Sequence, residues 1–430
     1  MLKGFGHSHA DFSSDLRDPQ DWNAATLKTL THCLDAVALA VDPVSNLLAI
    51  ATVNGVIHIL GAPGVETEIK LPNPIPVKFL EFATNIFKLL CIDENDKLYL
   101  WDLTHLGQIK LDATCRLDRP VTYVSLSPSH THAFISLESG QVKTYDLLCK
   151  RLSSYTIPNA WELYEQELKS DGMIVDTEGT SRIPVQILHH PRNPSLMFIA
   201  YGGGVALIDL KEHKTLRTYE LLIPAGAPGG AGYTDPDLLK HRRPSVTSIT
   251  IHPSGHLFVV GHIDGSIAFW AVEDDSQPLL VRTLDDIDVQ IVDGDKLDEY
   301  LPGADGPPKH HEPREPIFKL AWSGYPNSTD PRGGETSLII LGGQFGRDPS
   351  GVNVLWLPAF NPSEPPTMAN SEESLHPHFR KAMRVSLDPS NAHFYPTPGL
   401  TQDFVLIPRS MMAICVQSKH TNFLLQSLPP

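Results

Sequence analysis

Short runs of β-branched, aromatic and aliphatic residues recur along the chain and are separated by a few turn residues. Two such runs around a Gly, Asn or Asp turn predict a β-hairpin. The β-branched and aromatic residues fit a pleated strand, and Gly, Asn and Asp tolerate the positive φ that a tight turn needs. Five predicted hairpins lie at residues 47–60, 88–102, 132–146, 196–209 and 257–270. A sixth, at 337–357, keeps both strands but has a longer connection.

A further strand-like run precedes several hairpins, for example at 36–41, 121–127, 246–251 and 317–322. Three or four strands per unit are typical of a propeller blade, whose faces are buried only by neighbouring blades. The second strand of a hairpin ends in Trp101-Asp102 or Tyr145-Asp146, which matches the WD ending of such repeats.

A proline-containing dipeptide marks the turn that starts many units, and its spacing suits a repeat of about 40 to 45 residues with insertions. The dipeptides are Asp42-Pro43, Ser127-Pro128, His190-Pro191, His252-Pro253 and Asp388-Pro389. These patterns predict an all-β fold, a seven-bladed WD-repeat-like β-propeller. Six blades are clear, and an incomplete seventh is expected from 382–395 and 403–408.

The predicted domain organisation has three parts: an N-terminal extension at 1–24, the propeller at 25–410 and an atypical tail at 411–430. The propeller carries long insertions, the first of which contains a predicted amphipathic helix; they lie at 159–182, 224–243 and 285–315. Loops this long in a compact domain are typical of functional segments. Partner contacts are therefore expected in the insertions and rim loops, without individual residues being selected.

Composition narrows the function class. The 430 residues include 34 Lys and Arg against 50 Asp and Glu, a net charge of −16, which argues against nucleic acid as a partner. The longest apolar stretch, 36–53, is interrupted by polar residues and proline, so no membrane span is predicted. The start of the chain has no secretory signal, and five scattered cysteines indicate reduced thiols in a cytoplasmic protein.

Candidate chemical motifs receive structural interpretations. The pairs His189-His190, His310-His311, His7-x-His9 and His130-x-His132 lack the spacing of a zinc site, and a turn hydrogen bond is favoured for His190 and His252. Glycines at 202–204 and 342–346 join strand to strand, unlike a phosphate loop. The adjacent carboxylates Asp274-Asp275, Asp285-Asp286 and Glu372-Glu373 are expected to be solvated.

No catalytic, cofactor-binding or metal-binding residue is assigned, and the chain is predicted not to be an enzyme. An alternative stays open, since the active site of a propeller enzyme would draw residues from separate blades and leave no linear motif.

The first unit contains the most distinctive residues, Asp42 to Thr52 followed by a Gly-x-Pro-Gly-Val-Glu ending at 61–66. This resembles the first blade of the lethal giant larvae and tomosyn family. Gly351-Val-Asn-Val-Leu and the run at 403–409 also resemble that family, over about residues 25 to 410. Family members resemble two tandem propellers, whereas this chain departs from the family pattern after Arg409, so a shortened or mis-spliced product is expected.

The resemblance implies a non-enzymatic scaffold of polarised exocytosis, vesicle docking and cell polarity. Its expected partners are syntaxin-type plasma-membrane SNARE proteins, a Rab GTPase and a myosin. Its expected location is the cytoplasm at the cell cortex and plasma membrane, with peripheral membrane association. The alternative is a WD-repeat scaffold of another complex, such as a ubiquitin ligase or a trafficking coat.

Overall fold

A computed structural model describes residues 35–61, 64–172, 179–230, 238–294, 312–324, 334–360, 375–406 and 422–426. The extension at 1–24 lies outside the described residues, as do 411–421 of the tail.

The described strands form six antiparallel four-stranded sheets, here called blades, and each has its strands in sequence order. Blade 1 contains β1 (Ala36–Asp42), β2 (Leu47–Thr52), β3 (Val56–Gly61) and β4 (Val65–Lys70). Blade 2 contains β5 (Val77–Ala83), β6 (Lys88–Asp93), β7 (Lys97–Asp102) and β8 (Lys110–Arg116). Blade 3 contains β9 (Val121–Leu126), β10 (His132–Leu137), β11 (Val142–Asp146) and β12 (Arg151–Ile157).

Blade 4 contains β13 (Pro184–His189), β14 (Leu196–Tyr201), β15 (Gly204–Asp209) and β16 (Lys214–Tyr219). Blade 5 contains β17 (Val246–Ile251), β18 (Leu257–His262), β19 (Ile267–Ala271) and β20 (Leu280–Arg282). Blade 6 contains β21 (Ile317–Gly324), β22 (Thr336–Gly342), β23 (Gly351–Leu357) and β24 (Asn391–Pro396). The six predicted hairpins and the four preceding strands are thereby confirmed.

Two more strands, two α-helices and three short 3-10 helices (Thr84–Ile86, Leu106–Gln108 and Gly179–Arg182) complete the described elements. Strands β25 (Thr401–Leu406) and β26 (Asn422–Gln426) pair in parallel. Helix α1 (Ala160–Ser170) confirms the helix predicted in the first insertion, and α2 (Pro377–Val385) lies between β23 and β24. Neither helix combines the length and the apolar character that a membrane crossing requires, and the search covers the described residues alone.

The first strand of each blade is its inner strand, and inner strands lie next to each other in chain order from β1 to β21. Strand β25 continues this ring, because it contacts β1 and binds β21 through Lys319 and Asp403. The fold is thus an all-β propeller with six blades in the described residues, and the prediction of seven blades is not confirmed.

The predicted start of the last blade at 382–395 was wrong. Met383, Val385 and Leu387 alternate as in a strand, but 377–385 form helix α2, in which Phe379 and Met383 face the core four residues apart. Strand β24, which follows the helix, is the fourth strand of blade 6.

The hydrophobic core consists of layers between neighbouring blades. Between blades 4 and 5, for example, Tyr219 packs edge-on against Phe258 and Trp270, with ring centroids 4.8 Å and 5.5 Å away. Strands β2, β14 and β18 are buried along their whole length, since layers cover both of their faces. This explains why these strands are continuous apolar runs in the sequence.

In the proline-containing dipeptides that mark the turns, the side chains of Asp42 and His190 accept hydrogen bonds from backbone N–H groups of the turn. Asp42 Oδ1 accepts backbone N–H groups of Val44 and Ser45 at 3.0 and 3.1 Å. His190 Nδ1 accepts from the Asn193 N–H at 2.9 Å, so its Nε2 is the atom that donates to the Gly255 carbonyl, also at 2.9 Å. The structural role predicted for His190 is confirmed, and here it also links blade 4 to blade 5.

Replacing Trp270 by alanine tests the layered core. Its side chain is 2% exposed between blades 4 and 5, so Trp270→Ala should lower the free energy of unfolding by about 3 to 5 kcal/mol. The measurement is urea unfolding followed by circular dichroism. Phe318→Ala, at an exposed aromatic of β21, is the control and should cost less than about 0.5 kcal/mol; equal losses would contradict the assignment.

Candidate partner-binding surface

The three insertions emerge at the same face of the propeller. Each connects the fourth strand of one blade to the inner strand of the next, at 158–183, 220–245 and 283–316. Because successive strands alternate in direction, these connections lie at the same end as the turns between second and third strands. Hydrogen bonds from Gly202 N–H to the Ile183 carbonyl and from Ile263 N–H to the Ser245 carbonyl confirm this placement.

The first insertion is fixed to blade 4 through helix α1. Asn159 caps the helix by accepting the Glu162 N–H at 3.0 Å, which satisfies one free donor of the first turn. Trp161 is buried against the turn at 202–204, and a Cβ atom on Gly203 would lie 2.3 Å from its Nε1 atom. Glycine is therefore required here for close approach, which confirms the hairpin-turn interpretation of these glycines.

A buried charge network holds the end of this insertion. Glu165 is 2% exposed, and its carboxylate accepts from Ser181 Oγ at 2.8 Å and from Arg182 Nε at 2.7 Å. Arg182 also donates to Glu162 at 3.0 Å. A carboxylate buried on a helix is stable only with such partners, so Glu165 fixes residues 179–182 against α1.

Glu220 joins the first insertion to the second. Its carboxylate accepts from Tyr164 of α1 at 3.4 Å and pairs with Arg243 at 3.1 Å. Burial raises the pKa of Glu220, and Arg243 opposes that rise.

The second insertion is joined to the third by hydrogen bonds to backbone carbonyls. Gly229 N–H donates to the Val289 carbonyl at 2.7 Å, and Gln290 Nε2 donates to the Leu222 carbonyl at 3.2 Å. The Arg242 guanidinium donates to carbonyls of Ala227 and Pro228, which closes the second insertion on itself. Parts of all three insertions thus form one surface, termed the insertion surface: 159–172, 179–183, 220–230, 238–245 and 285–294.

The insertion surface and the adjacent blade 5 turn expose aliphatic side chains. These are Leu163, Leu222, Leu239, Ile263, Ile287, Ile291 and Val292. Exposed aliphatics that are grouped on an ordered scaffold and surrounded by polar residues are typical of protein interaction sites.

Helix α2 covers the outer edge of blade 5, a feature that sequence reasoning missed. Arg380 and Arg384 donate to carbonyls of Gln277 and Leu279 at 2.7 and 2.6 Å, and Arg384 also pairs with Asp288. The short outer strand β20 is thereby protected from pairing with another chain. The signals in the sequence that could have found it are the spacing of Phe379 and Met383, Pro377 in the first turn and Arg384 in the last turn.

The expectation that paired carboxylates are solvated was wrong for Asp274. It is 1% exposed, and it accepts from Ser276 N–H at 3.0 Å and Leu375 N–H at 3.3 Å while Arg380 lies 3.2 Å away. Asp285 is largely exposed but paired with Arg314 at 2.7 Å. Glu372 and Glu373 lie outside the described residues.

The central channel is lined by side chains that bind the free edge of the next inner strand. Gln186 accepts the Ile249 N–H at 3.0 Å, Ser248 accepts the Leu320 N–H at 3.1 Å, and Lys319 donates to the Phe404 carbonyl at 2.8 Å. Each of these side chains is the third residue of its strand, and β25 contributes Asp403 at the same level. These polar groups therefore serve the fold.

Two residues further along the inner strands, the channel side chains are small or apolar except for one carboxyl group. The fifth residues are Ala40, Glu81, Ser125, Leu188, Thr250, Ala321 and Val405. Glu81 is half-buried, and the described residues provide it with neither a hydrogen bond nor an ion pair within 4 Å. Burial raises the pKa of Glu81 to about 7, and the charge of Lys319 offsets part of that rise.

The histidine pairs do not converge. His189 packs on Phe134 at 5.1 Å, His190 binds backbone groups, and His130 accepts the Asn85 N–H at 3.4 Å. His7, His9, His310 and His311 lie outside the described residues. Within the described ranges, no group of three or more His, Cys, Asp or Glu side chains is arranged to hold a metal, and Cys91, Cys115 and Cys149 are free thiols.

No family model matches this sequence. The chain is 28% identical over 291 residues to an uncharacterised protein of Schizosaccharomyces pombe, covering 67% of this chain and 27% of that protein. It is 26% identical to the lethal(2) giant larvae protein homolog SRO77 of Saccharomyces cerevisiae, covering 54% and 21%, and 24% identical to the lethal(2) giant larvae protein of Drosophila melanogaster, covering 56% and 19%. These relatives include lethal giant larvae proteins, and they support the resemblance of the chain to the lethal giant larvae and tomosyn family.

The region shared with these three relatives spans 27%, 21% and 19% of their lengths. Among solved structures, the chain is similar to the β-propeller domain of Myceliophteria thermophila Cps50, with a TM-score of 0.46, 13% identity and coverage of 75% and 83%. It is also similar to the RRP9 WD40 repeats, with a TM-score of 0.47, 14% identity and coverage of 76% and 78%.

Replacing Glu165 tests how the first insertion is held. Glu165→Ala removes the acceptor of Ser181 and Arg182, so amides at 160–170 should exchange hydrogen roughly ten- to hundredfold faster. Hydrogen exchange by mass spectrometry measures this. Glu167→Ala, at an exposed position of the same helix, is the control; equal exchange in both variants would show that the network does not hold the insertion.

The raised pKa of Glu81 predicts a pH-dependent stability. Between its ordinary pKa of 4.5 and about 7, the native state keeps a proton that the unfolded chain releases, so this group lowers stability as pH rises. At pH 8, Glu81→Gln should be more stable than the wild type by about 1 to 3 kcal/mol, and the difference should shrink towards pH 5. Urea unfolding at both pH values measures it. A constant difference would rule out the shifted pKa.

Proposed function

We propose that this chain is a non-enzymatic scaffold that acts in cell polarity and polarised exocytosis. Its similarity to lethal giant larvae proteins supports this role. The observation that carries the proposal is the insertion surface, where hydrogen bonds between the three insertions present exposed aliphatic side chains on an ordered support. Binding without turnover is favoured, because the polar groups of the channel bind backbone and no second carboxyl group lines the cavity of Glu81 in the described residues.

We infer a syntaxin-type plasma-membrane SNARE as the principal partner. A SNARE helix has an apolar stripe, and such a stripe can bury aliphatic side chains like Leu239 and Ile291 of the insertion surface. The net charge of −16 would favour a partner with a basic face, mainly by increasing the association rate.

A Rab GTPase on vesicles is the second proposed partner and a myosin the third. These partners imply a cytoplasmic protein at the cell cortex and plasma membrane, held there peripherally through proteins. The competing function is that of a WD-repeat scaffold in another complex, such as a ubiquitin ligase or a trafficking coat. It would use the same surface for different proteins.

Introducing negative charges on the insertion surface tests the proposal. The double variant Leu239→Glu with Ile291→Glu should weaken binding of a purified syntaxin-type SNARE cytosolic domain by at least about tenfold, because each carboxylate would be desolvated in the interface. The measurement is isothermal titration calorimetry with the full chain, and a parallel titration uses a GTP-loaded secretory Rab.

The control is Leu148→Glu, at an aliphatic residue that is 56% exposed in the turn between β11 and β12 on the opposite face. It should leave SNARE binding unchanged. Absence of SNARE binding by the wild type would overturn the proposal, and recovery of a ubiquitin-ligase or coat subunit on the wild-type chain would favour the competing function. Equal weakening by the control would place the interface elsewhere.

A further inference from the structure

A cavity of about 410 Å³ lies at the end of the central channel opposite the insertion surface. Its walls come from inner strands β1, β5, β9 and β13, and its mouth lies at the turns that carry Pro43, Asn85 and His130. Its volume falls within the range of about 300 to 1,000 Å³ that is typical of small-ligand sites.

Glu81 is the carboxylate of this cavity. Around it the walls are formed by Phe82, Tyr123, Ser125 and Leu188. Most of the lining is apolar, while Ser125 and Tyr123 supply hydroxyl groups. A half-buried carboxylate without a donor is unfavourable in the ionised state, and the described residues that line the cavity donate no hydrogen bond to Glu81.

We propose that this cavity binds the alkylammonium or guanidinium group of a ligand, with Glu81 as the counter-ion. A cation at this position would form a charge-assisted hydrogen bond with Glu81, and the aromatic ring of Tyr123 is suited to lie beside it. The inference goes beyond the scaffold role and does not depend on it, since the cavity lies on the other face.

The surrounding charges permit a bound cation. Lys319 is engaged by the Asp403 carboxylate and by the Phe404 carbonyl, so its charge is largely compensated. Burial lowers the pKa of His130, although the nearby Asp42 opposes this, so the ring is neutral at pH 7. Burial also raises the pKa of Tyr123, which keeps its hydroxyl protonated.

Binding should be linked to proton release. Because the pKa of Glu81 is about 7, part of the population is protonated at pH 6.5, and a cation that binds the ionised form displaces that proton. No bond other than the O–H bond of Glu81 is broken, and the proton goes to the buffer.

Isothermal titration with n-butylguanidinium at pH 6.5 tests the proposal, using two buffers that differ in ionisation enthalpy. The wild-type chain should bind the cation and release a fraction of a proton. Glu81→Gln should weaken binding by at least about tenfold and abolish proton release. Glu81→Asp should retain part of the binding, and Glu94→Gln, at an exposed turn of blade 2, is the matched control with wild-type behaviour.

Two further measurements test whether the cation binds inside the cavity and whether its charge is required. Ser125→Phe fills the cavity while leaving Glu81 in place, and it should also prevent binding. The neutral analogue n-butylurea should not bind. Three outcomes would each overturn the proposal: equal binding of n-butylurea and n-butylguanidinium, full binding by the folded Glu81→Gln variant, or no binding of any cation to the wild type.

The source of the cation is resolved by comparing n-butylammonium with an N-acetyl-lysine amide peptide. Tighter binding of the peptide would identify a basic side chain of a protein as the ligand, whereas tighter binding of the free amine would identify a small molecule. Failure of these titrations leaves SNARE binding at the insertion surface unaffected, so the two proposals are tested separately.

Discussion

The structure depends on the need of every blade for its neighbours. A four-stranded sheet with apolar residues on both faces cannot bury them alone, and its inner strand has an edge of unpaired backbone groups. Adjacent blades meet both needs. Aromatic layers such as that of Tyr219 and Trp270 cover the faces, while Gln186, Ser248 and Lys319 bind the inner edges. Strand β25 takes part in the same way, although its sheet has only two strands in the described residues.

This arrangement leaves the connections between blades free to acquire other roles. The insertions add side chains such as Trp161, Ile223 and Val289 to the layers of the core, and Glu220 and Gln290 link the insertions to each other by side-chain bonds. Their order comes from these apolar contacts with the blades and from a few hydrogen bonds, and not from a core of their own. A surface built in this way can present exposed aliphatic residues without disturbing the blades, as the proposed scaffold role requires.

Polar side chains at two levels of the central channel have different surroundings. At the level of Gln186 and Ser248, polar side chains are paired with backbone groups, and their burial is compensated. At the level of Glu81, the neighbours from other strands are small or apolar, so the same burial raises the pKa of the carboxyl group to about 7. The two faces of the ring thus differ in the described residues: one carries polar links between insertions, and the other opens on a cavity whose carboxylate, Glu81, has no hydrogen-bond donor.

The sequence alone determined the hairpins, the repeated blade unit, the helix that begins after Asn159 and the turn role of His190, because each depends on contacts within about ten residues. Tertiary structure decided the rest. The alternation of Met383 and Val385 predicts a strand, but these residues lie in a helix that packs Phe379 and Met383 against one core. Asp274 was expected to be solvated, but Leu375 and Arg380 bind it in the folded chain. The sequence around Glu81 gives no sign of its environment. These environments are formed by residues about 40 to 100 positions apart, which only the closed ring of blades brings together.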